Sequence, residues 1–230
     1  MNEWLKETQI LNPDKEKTLV MLHGFIGSPY DLKPLAEVLK AKDYRIVLPF
    51  LPVPKGEGEN TLDAAKQVVE EYSPSALVGF SMGGALSILL SKYVSRVVLL
   101  APYLGLPMGD QAATKGAYLL RKVIANIPKF SSGRIACKKG LERYEPRAYS
   151  FETASFLALQ EIALRARGCS VEVPCLWAHA PKDPVASYKR AEKKLAAHSE
   201  HLLLPDAHHV LLYDYGHSTL IERAVGFFKE

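Results

Sequence analysis

Residues 79–83, GFSMG, place a serine between two glycines, with the apolar run SALVGF ending there and MGGALSILL following. A strand that turns at once into a helix would lift Ser81 onto a strained bend. Its hydroxyl is then exposed to a substrate, and the N–H groups at the helix start meet a developing anion. Side chains at Gly79 and Gly83 would collide with neighbouring backbone in so tight a turn, which is why glycine stands at both positions. The chemistry such a setting serves is nucleophilic attack on a carbonyl. The competing reading, a phosphate cradle, calls for GxGxxG or for GKS/GKT after the glycines, and neither is present.

A nucleophilic serine needs a base, a carboxylate that orients the base, and donors for the oxyanion. The carboxylate is expected past the carboxyl end of a strand, and LWAHAPKDPVAS supplies Asp183, with Asp206 after a later strand as its competitor. The base is expected later still, and LPDAHHVLLYDYGH offers His208, His209 and His217. Neighbouring histidines point in different directions, so only one of the adjacent pair can face Ser81. Taken as metal ligands the three have no recognised spacing, and no CxxC or HExxH supports them, so no metal is expected. After the first strand, His23-Gly24-Phe25 forms a loop in which the Phe25 N–H can partner the Met82 N–H at the oxyanion, with His23 bracing the loop.

The elements that must position these groups follow from periodicity. TLVMLH (18–23), YRIVLP (44–49), SALVGF (75–80), SRVVLLAP (95–102), VEVPCLWAHA (171–180) and HLLLP (201–205) read as buried strands. Between them, SPYDLKPLAEVLKAKDY reads as a helix with Ser28 as N-cap, Pro29 in the first turn and Asp31 as the third position of a capping box. LDAAKQVVEEY (62–72), MGGALSILLSKYV (82–94), and stretches near 187–197 and 218–229 read as further helices. Strands alternating with helices and apolar on both faces predict an α/β fold with a mostly parallel sheet covered on each side. Between Pro102 and residue 169 the rhythm changes: GDQAATKGAYLLRKVIANI and FETASFLALQEIALRARG read as helices around a Gly/Ser/Lys-rich stretch. The expected organisation is a core domain of 1–102 and 169–230, interrupted by a helical cap insertion at 103–168.

The 230 residues, 48% of them hydrophobic, suffice for one substantial core. The net charge of +4 is too mild to imply nucleic acid. Its distribution is uneven: residues 103–150 carry nine basic and three acidic side chains, +6 in all, and the rest of the chain is −2. In a cap that charge either remains solvated or draws anionic substrates such as lysophospholipids, or a membrane surface in peripheral contact. Tyr118, Leu119, Leu120, Val123, Ile124 and Ile127 either line an acyl pocket or pack on the core. The three cysteines, Cys137, Cys169 and Cys175, form no CxxC pair and suit a reducing compartment. No apolar run spans a membrane and the charged MNEWLKETQI is no secretory signal, so the expected location is cytoplasmic.

The order Ser81, Asp183, His209 resembles that of the α/β-hydrolase superfamily. LHGFIGSPYDLKPLAEVL resembles the oxyanion loop and first helix of bacterial carboxylesterases and monoacylglycerol-lipase-like enzymes, and GFSMGGAL their elbow. HAPKDPVAS is similar to their acid motif HGxxDxxVP, with Ala180 in place of the glycine, and HHVLLYDYGHSTLIERAVGFF to their terminal segment. PVPKGEGEN echoes only part of the family's GHG-containing loop. The likeness covers about residues 18–102 and 170–229. It implies Ser81 as nucleophile, His209 as base, Asp183 as orienting carboxylate, and Phe25 and Met82 amides as the oxyanion hole. The implied activity is hydrolysis of small acyl esters, monoacylglycerols or lysophospholipids among them, without metal or organic cofactor. A thioesterase, another hydrolase or lyase of the same fold, and a non-catalytic ligand-binding protein are the alternatives.

Overall fold

The computed structural model describes residues 2–107, 126–128, 133–146, 148, 150–197 and 199–229. A seven-stranded sheet forms the centre, with strands in the spatial order β1 (Gln9–Leu11), β3 (Arg45–Leu48), β2 (Thr18–Leu22), β4 (Ala76–Phe80), β5 (Arg96–Leu100), β8 (Cys175–His179) and β9 (Glu200–Leu203). Only β1 runs antiparallel, with Ile10 opposite Val47; every other pairing in this sheet is parallel. The fold is an α/β-hydrolase fold, a mostly parallel sheet flanked by helices.

Alternation along the strands builds two cores. Leu19, Met21, Ile46, Leu48 and Val78 face one layer, closed by α1 (Lys33–Lys40) through Leu35 and Leu39 and by α7 (His217–Phe227) through Leu220 and Ala224. Val20, Leu22, Val47, Leu77, Val97 and Leu99 face the other, closed by α2 (Glu59–Tyr72), α3 (Met82–Leu90), α5 (Thr153–Gly168) and α6 (Tyr188–Leu195). β2, β4 and β8 are buried at every position, as strands covered on both sides must be. Each such aliphatic side chain contributes about 1.5–3 kcal/mol by leaving water.

Parallel pairing fixes where the strands end. Gly79 lies opposite both Leu22 and Leu99, and Phe80 lies opposite Leu100. The loops after β2, β4, β5 and β8 therefore leave the same edge of the sheet. Phe25, Ser81 and Asp183 lie on those loops, the place where open α/β sheets bind ligands, and His209 lies on the loop after β9, whose Leu203 pairs with His179 at the same edge.

Several elements differ from the sequence expectation. β1 went unpredicted because it is a short, half-exposed edge strand without an apolar run. The first helix is split: Pro29–Leu32 is a 3-10 turn and α1 begins at Lys33. Ser28 does cap, its Oγ accepting the Tyr30 N–H at 3.3 Å, but Asp31 takes no part in a capping box. Within 103–168, β6 (Asn126–Pro128) pairs antiparallel with β7 (Ser150–Glu152). The helix expected over GDQAATKGAYLLRKVIANI thus loses its last two residues to a strand, and the rest of it, including Tyr118, Leu119, Leu120, Val123 and Ile124, lies outside the described residues, as does the Ile127 side chain. α4 (Lys138–Arg143) follows Cys137, and α5 packs along α3, burying Leu159, Ile162 and Ala163 in the same core as the sheet. All three thiols are free, and burial pushes that of Cys175 up to about 12. No helix among the described residues is long and apolar enough to cross a membrane.

Candidate active site

Ser81 sits between β4 and α3 with φ 55° and ψ −113°, a conformation that L-residues rarely adopt. Hydrogen bonds to the neighbouring strand's end impose it: Ser81 N–H donates to Leu100 O and Tyr103 N–H to Ser81 O, each at 2.9 Å. The two flanking glycines answer to space. A Cβ on Gly83 would run into the Leu22 carbonyl, and one on Gly79 into the Gly83 carbonyl and the Ser87 hydroxyl. The expected exposure of the serine is corrected, because Ser81 keeps only 4% of its surface. The approach of Gly24, whose Cβ would stand 3.3 Å from Ser81 Cβ, and the imidazole of His209 enclose it.

His209 Nε2 lies 3.0 Å from Ser81 Oγ, and His209 Nδ1 lies 2.8 Å from Asp183 Oδ2. An ionised carboxylate only accepts, so Nδ1 carries the proton and Nε2 is left to accept from the hydroxyl. All three side chains are buried, His209 completely. Burial lowers the His209 pKa below its ordinary value, with the charges of Arg134 and His179 acting the same way and Asp183 opposing. Burial alone would raise the Asp183 carboxyl, but His209 and His179 outweigh it and hold it well below the usual carboxylate range. A neutral imidazole beside an ionised carboxylate is the state a general base requires.

The remaining partners of Asp183 come from its own loop. Its Oδ1 accepts the N–H groups of Val185 at 2.7 Å and Ala186 at 2.9 Å, an Asx-type turn that fixes the carboxylate. His179 Nε2 is 3.2 Å from Asp183 Oδ2 and 3.3 Å from Ala186 O. Sequence reasoning quoted His179 within HAPKDPVAS and gave it no role; its signal is a histidine at the end of β8, four positions before the acid.

His23 braces its loop with a defined tautomer. The Leu51 N–H donates to Nε2 at 2.9 Å, so Nδ1 carries the proton and donates to Gly24 O at 2.8 Å. Ile26 has φ 48°, and Gly27 N–H closes a turn onto Gly24 O. The buried Asp31 carboxylate reaches into this turn: Oδ2 accepts the Gly24 N–H at 3.3 Å and Oδ1 the Tyr144 hydroxyl at 2.8 Å. Burial, reinforced by the Asp31 charge, raises the Tyr144 phenol well above its ordinary value and keeps it a donor. Asp31 is thus a positioning residue for the Phe25 loop. Met82, as the first residue of α3, has an N–H with no intrahelical acceptor.

The other candidates fall elsewhere. Asp206 is exposed and faces Lys182 across 3.9 Å of surface. His217 begins α7 with Nδ1 2.9 Å from Asp214 O. It is His209 and not His208 that hydrogen-bonds Ser81; the backbone N–H of His208 donates to Asp214 Oδ2 at 2.8 Å. Asp214, which sequence reasoning did not single out, is fully buried and also accepts from Ala136, Cys137 and Tyr215 N–H groups, each at 2.8 Å. It clamps the His209 loop onto residues 134–137. No group of His, Cys, Asp and Glu side chains fit to hold a metal occurs among the described residues.

Fold and site together define a hydrolase-type α/β protein with Ser81 at the sharp turn after β4. The alpha/beta hydrolase family model matches residues 19–230, and the chain belongs to that family. It is 24% identical to a thermostable monoacylglycerol lipase of Bacillus sp. (strain H-257), over 92% of this chain and 90% of that protein. Among solved structures it resembles one from the metagenome-derived lipolytic enzymes LipS and LipT, at TM-score 0.79 and 22% identity over 97% of both chains. It also resembles the monoacylglycerol lipase of Paleococcus ferrophilus, at TM-score 0.79 and 15% identity over 96% of this chain and 98% of the other.

Proposed function

We propose that this chain is a serine hydrolase that cleaves carboxylic esters through an acyl-enzyme intermediate. The observation that carries the reading is the His209 Nε2 to Ser81 Oγ contact of 3.0 Å, continued at 2.8 Å to Asp183, at a serine held in a strained turn. Ser81 Oγ attacks the ester carbon while His209 Nε2 takes the hydroxyl proton, and the carbonyl electron pair moves onto its oxygen. The N–H groups of Phe25 and Met82 receive that oxyanion. As the intermediate collapses, the carbon–oxygen bond to the alcohol breaks and His209 returns the proton to the leaving oxygen. Water, deprotonated by the same nitrogen, then releases the acid and restores Ser81. Asp183 stays ionised and holds the imidazolium.

The lipolytic relatives favour monoesters of small alcohols, monoacylglycerols first, as the substrates to try. Of the segment expected to form a cap, α5 belongs to the core, whereas β7 reaches the oxyanion loop. Phe151 of β7 packs edge-on against Phe25 with ring centres 5.2 Å apart, which brings this segment onto the oxyanion loop. The test is turnover of p-nitrophenyl esters and acyl-CoA thioesters of graded length by the parent and by Ser81→Ala. Ester turnover lost in the variant is expected. A preference for thioesters would move the reading to a thioesterase, and failure of folded protein to take a fluorophosphonate label would move it to a binding protein.

A further inference from the structure

Ser81 is not alone in its strain at this edge of the sheet. Ala101, directly after β5, has φ 43° and is fully buried, and its N–H donates to Ala178 O of β8 at 2.8 Å. Pro102 then packs so closely on α3 that a Cβ on Gly84 would stand 2.8 Å from the Pro102 Cα. Tyr103 N–H donates to Ser81 O at 2.9 Å, and two residues further on Gly105 O accepts the Ser187 N–H at 2.9 Å. Residues 101–105 thus form a strap that joins the Ser81 turn to the loop carrying Asp183. Two side chains of α5 hold the strap: Gln160 Nε2 donates to the Tyr103 hydroxyl at 2.7 Å, and Arg167 Nη1 donates to Leu104 O at 3.1 Å. Gln160 and Tyr103 are both buried. A hydrogen bond between two buried polar groups fixes direction as well as distance, which the neighbouring Leu104, Leu159 and Ile162 cannot do.

We propose that Gln160 and Tyr103 are positioning residues for the nucleophile: their buried hydrogen bond holds the strap whose Tyr103 N–H fixes the Ser81 carbonyl, and so keeps Ser81 Oγ within reach of His209. Neither side chain need touch substrate. Loss of the bond lets the Ser81 turn relax from φ 55° and lengthens the 3.0 Å contact with His209 Nε2. Such a change acts on the chemical step rather than on binding. The proposal deepens the ester-hydrolase reading and rests on it.

The experiment removes each half of the bond with little change of shape, in Tyr103→Phe and Gln160→Met. Ile162→Val trims the same core without touching the bond. On p-nitrophenyl butyrate the first two are expected to lower kcat by about tenfold with KM within about twofold, and the double variant to lose no more than either single one. Ile162→Val is expected to lower the melting temperature and leave kcat unchanged, which separates positioning from stability. A kcat unmoved in Tyr103→Phe, or losses that multiply in the double variant, overturns the assignment. Amide hydrogen exchange reads the same bond without catalysis. In Tyr103→Phe the N–H of residue 103 is expected to exchange about tenfold faster than in the parent, while that of Val98, inside β5, is unchanged. Exchange at residue 103 that rises no more than at Val98 overturns the proposal. If the parent hydrolyses no ester, the ester-hydrolase reading fails by itself, and the exchange rates still decide whether the bond holds the strap. Should Gln160→Met fail to fold, Tyr103→Phe carries both measurements alone.

Discussion

His179 Nε2 lies 3.2 Å from the same Asp183 oxygen that accepts the His209 proton at 2.8 Å. Two imidazoles thus share one buried carboxylate oxygen, and only one of them reaches Ser81. Removing His179 strips Asp183 of a donor without touching the nucleophile or the base. His179→Ala is expected to lower kcat by about tenfold, roughly the loss of one hydrogen bond to a charged group, with KM little changed. His179→Gln, which keeps a donor, is expected to recover part of the rate. An effect on KM alone would remove His179 from the positioning of Asp183.

The buried His209 bears directly on pH. Burial, seconded by Arg134 and His179, holds its pKa below the ordinary 6.5, and catalysis needs it neutral. The acid limb of kcat/KM is therefore expected to have its midpoint below pH 6.5, with the base fully available at neutrality. Stability follows the same sign. Below pH 6.5 the unfolded chain protonates this histidine before the folded one does, and below 3.8 the same holds for Asp183. Both contributions are complete above the unfolded values and are lost as pH falls through the depressed folded ones. A kcat/KM limb centred above 6.5 would contradict the assignment of His209 as base.

What the sequence disclosed and what it hid divide along physical lines. The buried strands and the candidates Ser81 and Asp183 were legible because parallel strands are continuous apolar runs, the turn demands Gly79 and Gly83, and the acid follows a strand's carboxyl end. His209 came from the family resemblance alone. The edge strand Gln9–Leu11 and the strand Ser150–Glu152 were not, since neither is fully buried and so neither carries an apolar run. Asp31 was misread because a carboxylate three residues after a serine looks like a local cap, whereas its partner Tyr144 is 113 residues away. Asp214 was hidden for the same reason: its N–H donors include Ala136 and Cys137, 78 and 77 residues distant. The choice among His208, His209 and His217 required coordinates, for adjacent residues differ only in the direction their side chains take.

The strained turn predicts a conflict between stability and activity. Ser81 is held at φ 55° by its two bonds to the end of β5, and positive φ in a non-glycine residue costs about 1–3 kcal/mol. Ser81→Gly removes that strain, partly offset by the added freedom of the unfolded chain. The variant is expected to be inactive yet more stable than the parent by about 1 kcal/mol in denaturant titration. Ser81→Ala, which keeps the Cβ, is expected to be inactive without that gain. A Ser81→Gly variant less stable than Ser81→Ala would mean that the turn holds no relievable strain.

Asp31 offers a test of how the oxyanion loop is held. The Gly24 N–H and the Tyr144 hydroxyl converge on its two oxygens, and a Cβ on Gly27 would run into the same carboxylate. The carboxylate therefore fills the turn that aims the Phe25 N–H. Substrate need not touch it, so its loss is expected in the transition state rather than in binding. Asp31→Asn keeps the shape but presents an amide N–H toward one of two donors, and is expected to lower kcat by about ten- to a hundredfold with KM within about twofold. Tyr144→Phe removes one donor and leaves the Gly24 bond in place, so its expected loss is smaller, below about tenfold. Steady-state kinetics on a neutral p-nitrophenyl ester separates the two variants, and thermal melts confirm that each is folded. Should Tyr144→Phe cost as much as Asp31→Asn, the hydroxyl rather than the Gly24 contact would be what holds the loop.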